Sequence, residues 1–258
     1  MVALTPESLA RFTRQQAAIT HLGISAVVAA AIVAVMMLVW YPNPWFAAAG
    51  GGTLLLLLVG VDVILGPLLT FIVFNPAKKS LVYDLAVIVM LQVAALIYGV
   101  HVMAAARPAF IVYLRGGFDV VTANDVVSEG MAEAPLAEFR TLSWTGPRLA
   151  AARIPADPGL QLKIGMEAMA GGPDFTAYPR YYIPYGTAAR EAAGRGQPLA
   201  NFARTSTANA DAVAKLVRSS GKSVDDLVFL PIRTRTEPMT IVLGEAEGDV
   251  VGVLMDSH

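Results

Sequence analysis

Cysteine is absent from this chain of 258 residues, and charge is scarce, with Asp, Glu, Lys and Arg at 15% of the residues where globular chains average about 25%. The first absence excludes disulfides, thiolate catalysis, thiol-ligated metals and lipidation of a cysteine. It leaves the compartment open, because a cysteine-free domain is tolerated on either side of a membrane. The second absence is uneven along the chain. No charged residue stands between Arg14 and Asp62, from Val63 to Ala77, or from Leu85 to Ala106. The net charge is −1, with no basic run or patch, so nucleic acid is a poor partner. Histidine is confined to His21, His101 and His258, so no histidine-based metal site is expected, and no cofactor.

Apolar length is what the chain has instead, at 55% hydrophobic residues. Three stretches reach the ~20 residues needed to cross a ~30 Å hydrocarbon core at ~1.5 Å per residue. They run from Ile19 to Trp40, from Thr53 to Phe74 and from Leu81 to Met103. Pro42, Asn43 and Pro44 stand in the first joint, and Asn75, Pro76, Lys78 and Lys79 in the second. Proline cannot continue a helix and restricts the residue before it, so both joints read as helix stops. Trp40, Tyr41 and Trp45 cluster at one boundary as an interfacial aromatic belt would. The chain thus divides into a short cytoplasmic segment (1–18), a region of three transmembrane helices (19–105) and an α+β domain (106–258). Within the first segment, Thr5 is placed to cap a short surface helix with Pro6 at its first position.

Arg11 and Arg14 flank the first span, Lys78 and Lys79 separate the second from the third, and the loop from Tyr41 to Gly52 has no basic residue. By the positive-inside rule the N-terminus and the Lys78/Lys79 turn are cytoplasmic. Three crossings then place the C-terminal domain in the periplasm, anchored in a bacterial inner membrane, with Arg107 on the less favoured side. A cleaved signal peptide ending at Ala47-Ala48-Ala49 is the rival for the first span. Its apolar run exceeds the about 7–15 residues of an h-region, and that site lies beyond a proline-rich turn.

Asp62 is the most informative residue, near the middle of the second span. An ionised carboxylate there costs about 2.5–3.5 kcal/mol on insertion scales, so it needs a polar partner or a proton. It reads equally as a docking point for a partner helix or ion path, and as internal glue to Gln92 or a neighbouring hydroxyl. Gly60, Gly66 and Pro67 suggest a local kink and close helix approach. Asp84, close to Lys78 and Lys79, reads as an interfacial ion pair, and Gln92 as interhelical glue. Asp62, Gly66, Pro67, Asp84 and Gln92 are the candidate partner-binding residues.

From Ala109 the period becomes that of strands. Phe110 to Leu114 and Phe118 to Val121 read as a hairpin across Gly116-Gly117. A helix is expected after Thr122, with Asn124 or Asp125 near its start, and a strand from Leu149 to Ile154. Helices follow at Leu160 to Ala170, Gly186 to Gly194 and Asn209 to Ser219, the last stopped by Gly221. Strands Leu227 to Ile232, Met239 to Leu243 and Val250 to Met255 complete the domain. Helices between hairpins give an α+β fold with a single, mainly antiparallel sheet.

This domain carries little recognisable chemistry. Gly221-Lys222-Ser223 resembles the end of a phosphate-binding loop, but Leu216 stands where the first glycine belongs, so it reads as a helix cap. Gly194-Arg195-Gly196 lacks a preceding strand and reads as a loop. No Gly-x-Ser-x-Gly elbow, His-Glu-x-x-His pair or Ser-x-x-Lys dyad occurs. The tyrosines from Tyr178 to Tyr185 read as core packing before a binding groove, and Glu167 and Asp174 as solvated acids. An enzyme is not supported.

Several runs carry a family resemblance: Gly60-Val61-Asp62, Leu65-Gly66-Pro67-Leu68-Leu69-Thr70, Val73-Phe74-Asn75-Pro76, Lys78-Lys79-Ser80-Leu81, Asp84-Leu85-Ala86 and Ala106-Arg107-Pro108. The chain resembles the type IV pilin accessory proteins of the TfpX/TfpZ family, densely from Ala18 to Tyr113 and more loosely beyond. The resemblance implies a chaperone-like role in pilin stability, assembly or display, without a known reaction. It implies a partner, a type IV pilin, that waits in the membrane with an apolar N-terminal helix carrying an acid and a terminal amine. The bilayer is the other expected partner, and a homo-oligomer is left open. Two other classes stay alive. One is a membrane-anchored periplasmic ligand-binding sensor subunit, whose short cytoplasmic portions would need a signalling partner. The other is a membrane enzyme modifying pilins, which would call for more spans and acidic metal-binding loops.

Overall fold

The computed structural model describes residues 12–48, 52, 55–56, 59–234 and 237–256. The helix expected around Thr5 and Pro6 lies outside the described residues, as do Ala49 and most of the start of the second expected span, from Thr53 to Leu58. The first four α-helices are α1 (Arg14–Val35), α2 (Trp45–Ala48), α3 (Gly66–Val73) and α4 (Leu81–Ala106). The chain divides into two compact units, one formed by Met1–Leu38 and Gly51–Ala104, the other by Val39–Gly50 and Ala105–His258.

The first unit is helical. Thr13 caps α1 in a reciprocal box: its hydroxyl accepts from the Gln16 amide at 3.2 Å, and the Gln16 side chain accepts from the Thr13 amide at 3.0 Å. Beyond Val35 the helix continues as a π-helical turn, Met36–Trp40, so that the apolar run from Arg14 to Trp40 spans 27 residues. With the 26-residue α4, this makes two helices among the described residues that are long and apolar enough to cross a bilayer. The middle segment is described as a π-helical stretch, Gly60–Leu65, leading into α3. It is shorter than a span, because its expected beginning lies outside the described residues. α1 packs against both parts of this segment.

The second unit holds an eight-stranded mixed sheet. Its strands are β1 (Pro108–Leu114), β2 (Gly117–Thr122), β3 (Arg148–Ala152), β4 (Tyr182–Pro184), β5 (Gln197–Pro198), β6 (Leu227–Arg233), β7 (Met239–Gly244) and β8 (Val250–Met255). Their order is β4-β3-β1-β2-β6-β7-β8, with β5 beside β6. The expected β1–β2 hairpin forms, but its register pairs Leu114 with Gly117, so the turn residues are Arg115 and Gly116, with φ of 52° and 89°. Two positive φ angles in a two-residue loop match the strand twist.

The expected single sheet forms as a mixed one, in which five of the seven pairings are antiparallel. β1 pairs β3 in parallel and β2 pairs β6 in parallel, while the remaining neighbours are antiparallel. Each parallel pairing is a long-range choice that no hairpin signal announces. The β2–β6 seam is short, joining only Phe118 to Ile232 and Asp119 to Arg233. Arg233 reinforces it with a two-point ion pair to Asp119, in which Nη2 donates to Oδ2 at 2.7 Å. That carboxylate raises the Arg233 pKa above its ordinary value.

All seven residues of β1 are buried, and from Phe110 to Tyr113 they alternate between two cores. Ile111 and Tyr113 meet Phe118, Tyr185, Leu230 and Ile241 in one core, while Phe110 and Val112 meet Val121, Phe139 and Tyr182 in the other. Trp45 of α2, expected in an aromatic belt, is buried in the first of these cores, 7% exposed, and Tyr41 beside it is 1% exposed.

The remaining helices are α5 (Pro158–Met169), α6 (Ala189–Arg195), α7 (Leu199–Ala203) and α8 (Thr207–Ser220). α8 ends where expected, on Gly221 in the left-handed region at φ 69°. The helix expected after Thr122 does not form. Asn124 and Asp125 lie instead in a turn held by the Thr122 hydroxyl, and two short 3-10 turns follow. Such side-chain bonds to nearby groups compete with a helix. Gly194-Arg195 belongs to the end of α6 rather than to a loop.

Candidate functional site

The local sequence around Asp62 dictates an irregular helix. Within Gly60–Leu65 the backbone follows a five-residue hydrogen-bond step, and the Gly66 amide donates to the carbonyl of Val61. In an α-helix that amide would serve Asp62; in a π-helix the amide of residue 67 would do so. Residue 67 is proline and has no amide hydrogen. The carbonyl of Asp62 is therefore left by its own helix, and Gln92 of α4 supplies the donor, its Nε2 lying 3.2 Å away. The approach requires a glycine opposite. A Cβ on Gly66 would stand 2.6 Å from Cδ of Gln92, inside any contact distance.

The spacing Asp62, Gly66, Thr70 puts three buried positions on one helical face, while Ile64, Leu65, Leu68 and Leu69 point outward. From α1, His21 reaches the same face, with Nδ1 at 2.6 Å from the Thr70 hydroxyl. From α4, Leu81, Leu85, Ile88 and Gln92 share one side at helical spacing. Together these surfaces line a groove of about 430 Å³ within the first unit. Its polar residues are Thr20, His21, Ser25, Asp62, Thr70 and Gln92, and aliphatic side chains such as Ile24, Val28, Val89, Val93 and Leu96 form most of the remainder.

Asp62 is 7% exposed, and its Oδ1 is buried without a hydrogen-bond partner. Gln92 Oε1 is in the same condition. The internal bond expected between the Asp62 carboxylate and Gln92 is thus not formed: the Gln92 amide donates to the Asp62 backbone carbonyl instead. Asp62 lines this mainly apolar groove, and a carboxylate there can receive a hydrogen bond or a cation from an incoming group.

Of the five candidate residues, Asp62, Gly66, Pro67 and Gln92 come together here. Asp84 does not join them. It pairs with Lys78 at 2.6 Å and accepts from the Ser80 hydroxyl at 3.4 Å. His21 and Thr70 were not marked by sequence reasoning. A small polar residue two turns after Asp62 was the available signal, but the partner helix was not.

In the second unit, Lys222 of the Gly-Lys-Ser run pairs with Asp249 at 2.7 Å, and its serine caps the turn that follows. Tyr182 and Tyr185 are buried, and Tyr185 donates to the carbonyl of Gly248 at 2.7 Å. Burial drives both phenols well above the ordinary tyrosine range. Glu167 faces Lys163 at 4.0 Å, whereas Asp174 caps the Phe175 amide at 2.7 Å, so these two acids do not act together. Among the described residues no group of three or more His, Asp or Glu is placed to hold a metal ion.

The model of the family described as fimbrial assembly protein FimB matches residues 11–50 of this chain. A fimbrial assembly protein of Dichelobacter nodosus, serogroup I, is 28% identical over 241 residues, covering 92% of this chain and 93% of the relative. That of serogroup E1 from the same organism matches over the same shares at 28%. That of serogroups C1 and C2 is 34% identical over 116 residues, which is 44% of this chain and 88% of the relative. No solved structure matches. On the strength of the last relative, matched along most of its own length, the chain belongs to the fimbrial assembly protein family.

Proposed function

We propose that this protein assists the assembly of type IV fimbriae as an inner-membrane accessory protein, by holding a pilin subunit before its incorporation. The finer resemblance to the TfpX/TfpZ accessory proteins fits this role, and assembly rather than catalysis is its nature. α1, the segment ending in α3, and α4 form three spans, with the N-terminus cytoplasmic and the second unit periplasmic. The observation that carries the reading is Asp62, an acid lining a mainly apolar groove between helices, with its Oδ1 buried and lacking a hydrogen-bond partner.

An unpaired acid at membrane depth costs about 2.5–3.5 kcal/mol on insertion scales. A subunit whose apolar N-terminal helix brings a terminal amine offsets this penalty while covering the aliphatic walls. A fully apolar lipid tail cannot do the first of these. The periplasmic unit is then positioned to meet the subunit's head.

Detergent pull-down of the tagged protein from its own host, with the major pilin probed by immunoblot, tests the reading. Wild type recovers pilin, and Asp62→Asn recovers much less. Equal recovery by both, with equal piliation, would remove Asp62 from the contact. No pilin with either, and unchanged piliation on deletion, would overturn the whole role.

A further inference from the structure

Among the described residues of the second unit, one aromatic side chain stands open. Trp144 is 56% exposed, although its neighbours hold it firmly. The guanidinium of Arg107 lies 3.8 Å from the centre of its ring, and the ring of Trp40 lies 6.1 Å away at 49°. The loop beneath it is equally fixed. Arg107 Nε donates to the Ser143 carbonyl at 2.9 Å, and the Thr145 amide donates to the Ser143 hydroxyl at 3.2 Å. Gly146 adopts φ 91°, and a Cβ there would stand 2.9 Å from the ring of Pro42.

The two residues that hold Trp144 have one thing in common. Trp40 closes the 27-residue apolar helix, and Arg107 directly follows the 26-residue α4. If those helices cross a bilayer, their ends lie in the same interfacial layer, about 5–7 Å deep on each side of the hydrocarbon core. A ring in contact with both ends lies in that layer too. Indole suits it, with an apolar body for the acyl boundary and an N–H for the headgroups.

We propose that Trp144, carried on the loop Ser143–Gly146, inserts among the lipid headgroups and fastens the second unit to the membrane at a point distant in sequence from the helices. The proposal rests on the reading that the Arg14–Trp40 helix and α4 are spans. Arg107 is the positioning residue, buried at 5% exposure, and Trp144 makes the lipid contact.

The chain has three tryptophans, which permits a direct test. The full-length protein is reconstituted in phosphatidylcholine vesicles brominated either near the headgroup end of the acyl chains or near their terminal methyl. One variant, Trp40→Phe with Trp45→Phe, keeps Trp144, and another, Trp45→Phe with Trp144→Phe, keeps Trp40. The proposal expects Trp144 to lose emission to the shallow bromines about as strongly as Trp40 and to the deep bromines less. Quenching of Trp40 without Trp144 overturns the proposal and leaves the spans standing. Quenching of neither overturns both. Strongest quenching of Trp144 by the deep bromines also overturns it, since the ring would then lie below the headgroups.

Because Trp45 is in a core, a second measurement uses Thr145→Cys in the otherwise wild-type, cysteine-free chain. An environment-sensitive dye on that thiol shifts to the blue on reconstitution and becomes shielded from aqueous iodide. Emission as in water, with full iodide access, overturns the proposal.

Discussion

Gln92 donates the hydrogen bond that Pro67 withholds, its side-chain nitrogen lying 3.2 Å from the carbonyl of Asp62. The relationship joins two helices through a backbone group that ordinary helix geometry would have satisfied internally. The Gln92 amide reaches the Asp62 backbone carbonyl rather than its carboxylate, whose Oδ1 is left without a hydrogen-bond partner.

Gln92→Leu is therefore expected to destabilise the helical unit by about 0.5–1.7 kcal/mol, the range of interhelical hydrogen bonds in membranes. In a Pro67→Ala background the restored amide serves the vacated carbonyl, so the same change costs less than half as much. Gly66→Ala pushes the Gln92 side chain away and adds little to Gln92→Leu. Unfolding in mixed detergent–SDS micelles measures all of these. Strictly additive losses would show that Gln92 and Pro67 are unrelated.

Asp62→Leu separates stability from function. Removing a buried acid whose Oδ1 has no hydrogen-bond partner is expected to stabilise the unit by roughly 1–3 kcal/mol, bounded by its insertion cost. Pilin recovery falls in the same variant. A variant less stable than wild type would mean that the carboxylate has an internal partner after all.

Gly248→Ala strikes the second unit. Gly248 has φ 72°, and a Cβ would approach the Cα of Ala189 to 3.0 Å and press on that residue's carbonyl. Left-handed backbone costs about 1–2 kcal/mol for an L-residue, and the backbone overlap adds to it. A loss of more than about 2 kcal/mol is expected on both counts. A lowered midpoint in the near-ultraviolet dichroism of thermal unfolding is the readout. Wild-type stability would mean that the β7–β8 turn moves freely from α6.

Tyr41 makes the second unit sensitive to alkali. Burial pushes its pKa up to about 12, partly opposed by the Arg107 cation, whereas an unfolded tyrosine titrates near about 10. The folded value is the higher one. Its contribution to stability is therefore complete below pH ~10 and is lost as pH rises toward ~12, by on the order of 2 kcal/mol. Absorbance at 295 nm, compared between wild type and Tyr41→Phe, follows the ionisation. A difference spectrum rising at the free-tyrosine pH would refute the burial.

The residues show where sequence reasoning stops. The β1–β2 hairpin was legible because both strands and their turn lie within fifteen consecutive residues (108–122), although its register moved the turn by one. The helix after Thr122 was misread because the Thr122 hydroxyl closes a turn with Asn124 and Asp125. Asp62 stood out because a charge in a long apolar run is visible without any structure. Its neighbour His21 did not, since its contact with Thr70 crosses 49 positions of sequence.

Hydropathy, charge spacing and proline are properties of short segments, so the sequence by itself determined the two membrane-length helices, their stops, the cap at Gly221, and the presence of an α+β unit. Tertiary structure alone decided the parallel pairings of β1 with β3 and β2 with β6, the burial of Tyr41 and Trp45, and the grouping of Gln92 with Asp62, Gly66 and Pro67. Those depend on which hydrogen-bonding groups and apolar faces the rest of the chain leaves unsatisfied. That balance is fixed only when distant segments meet.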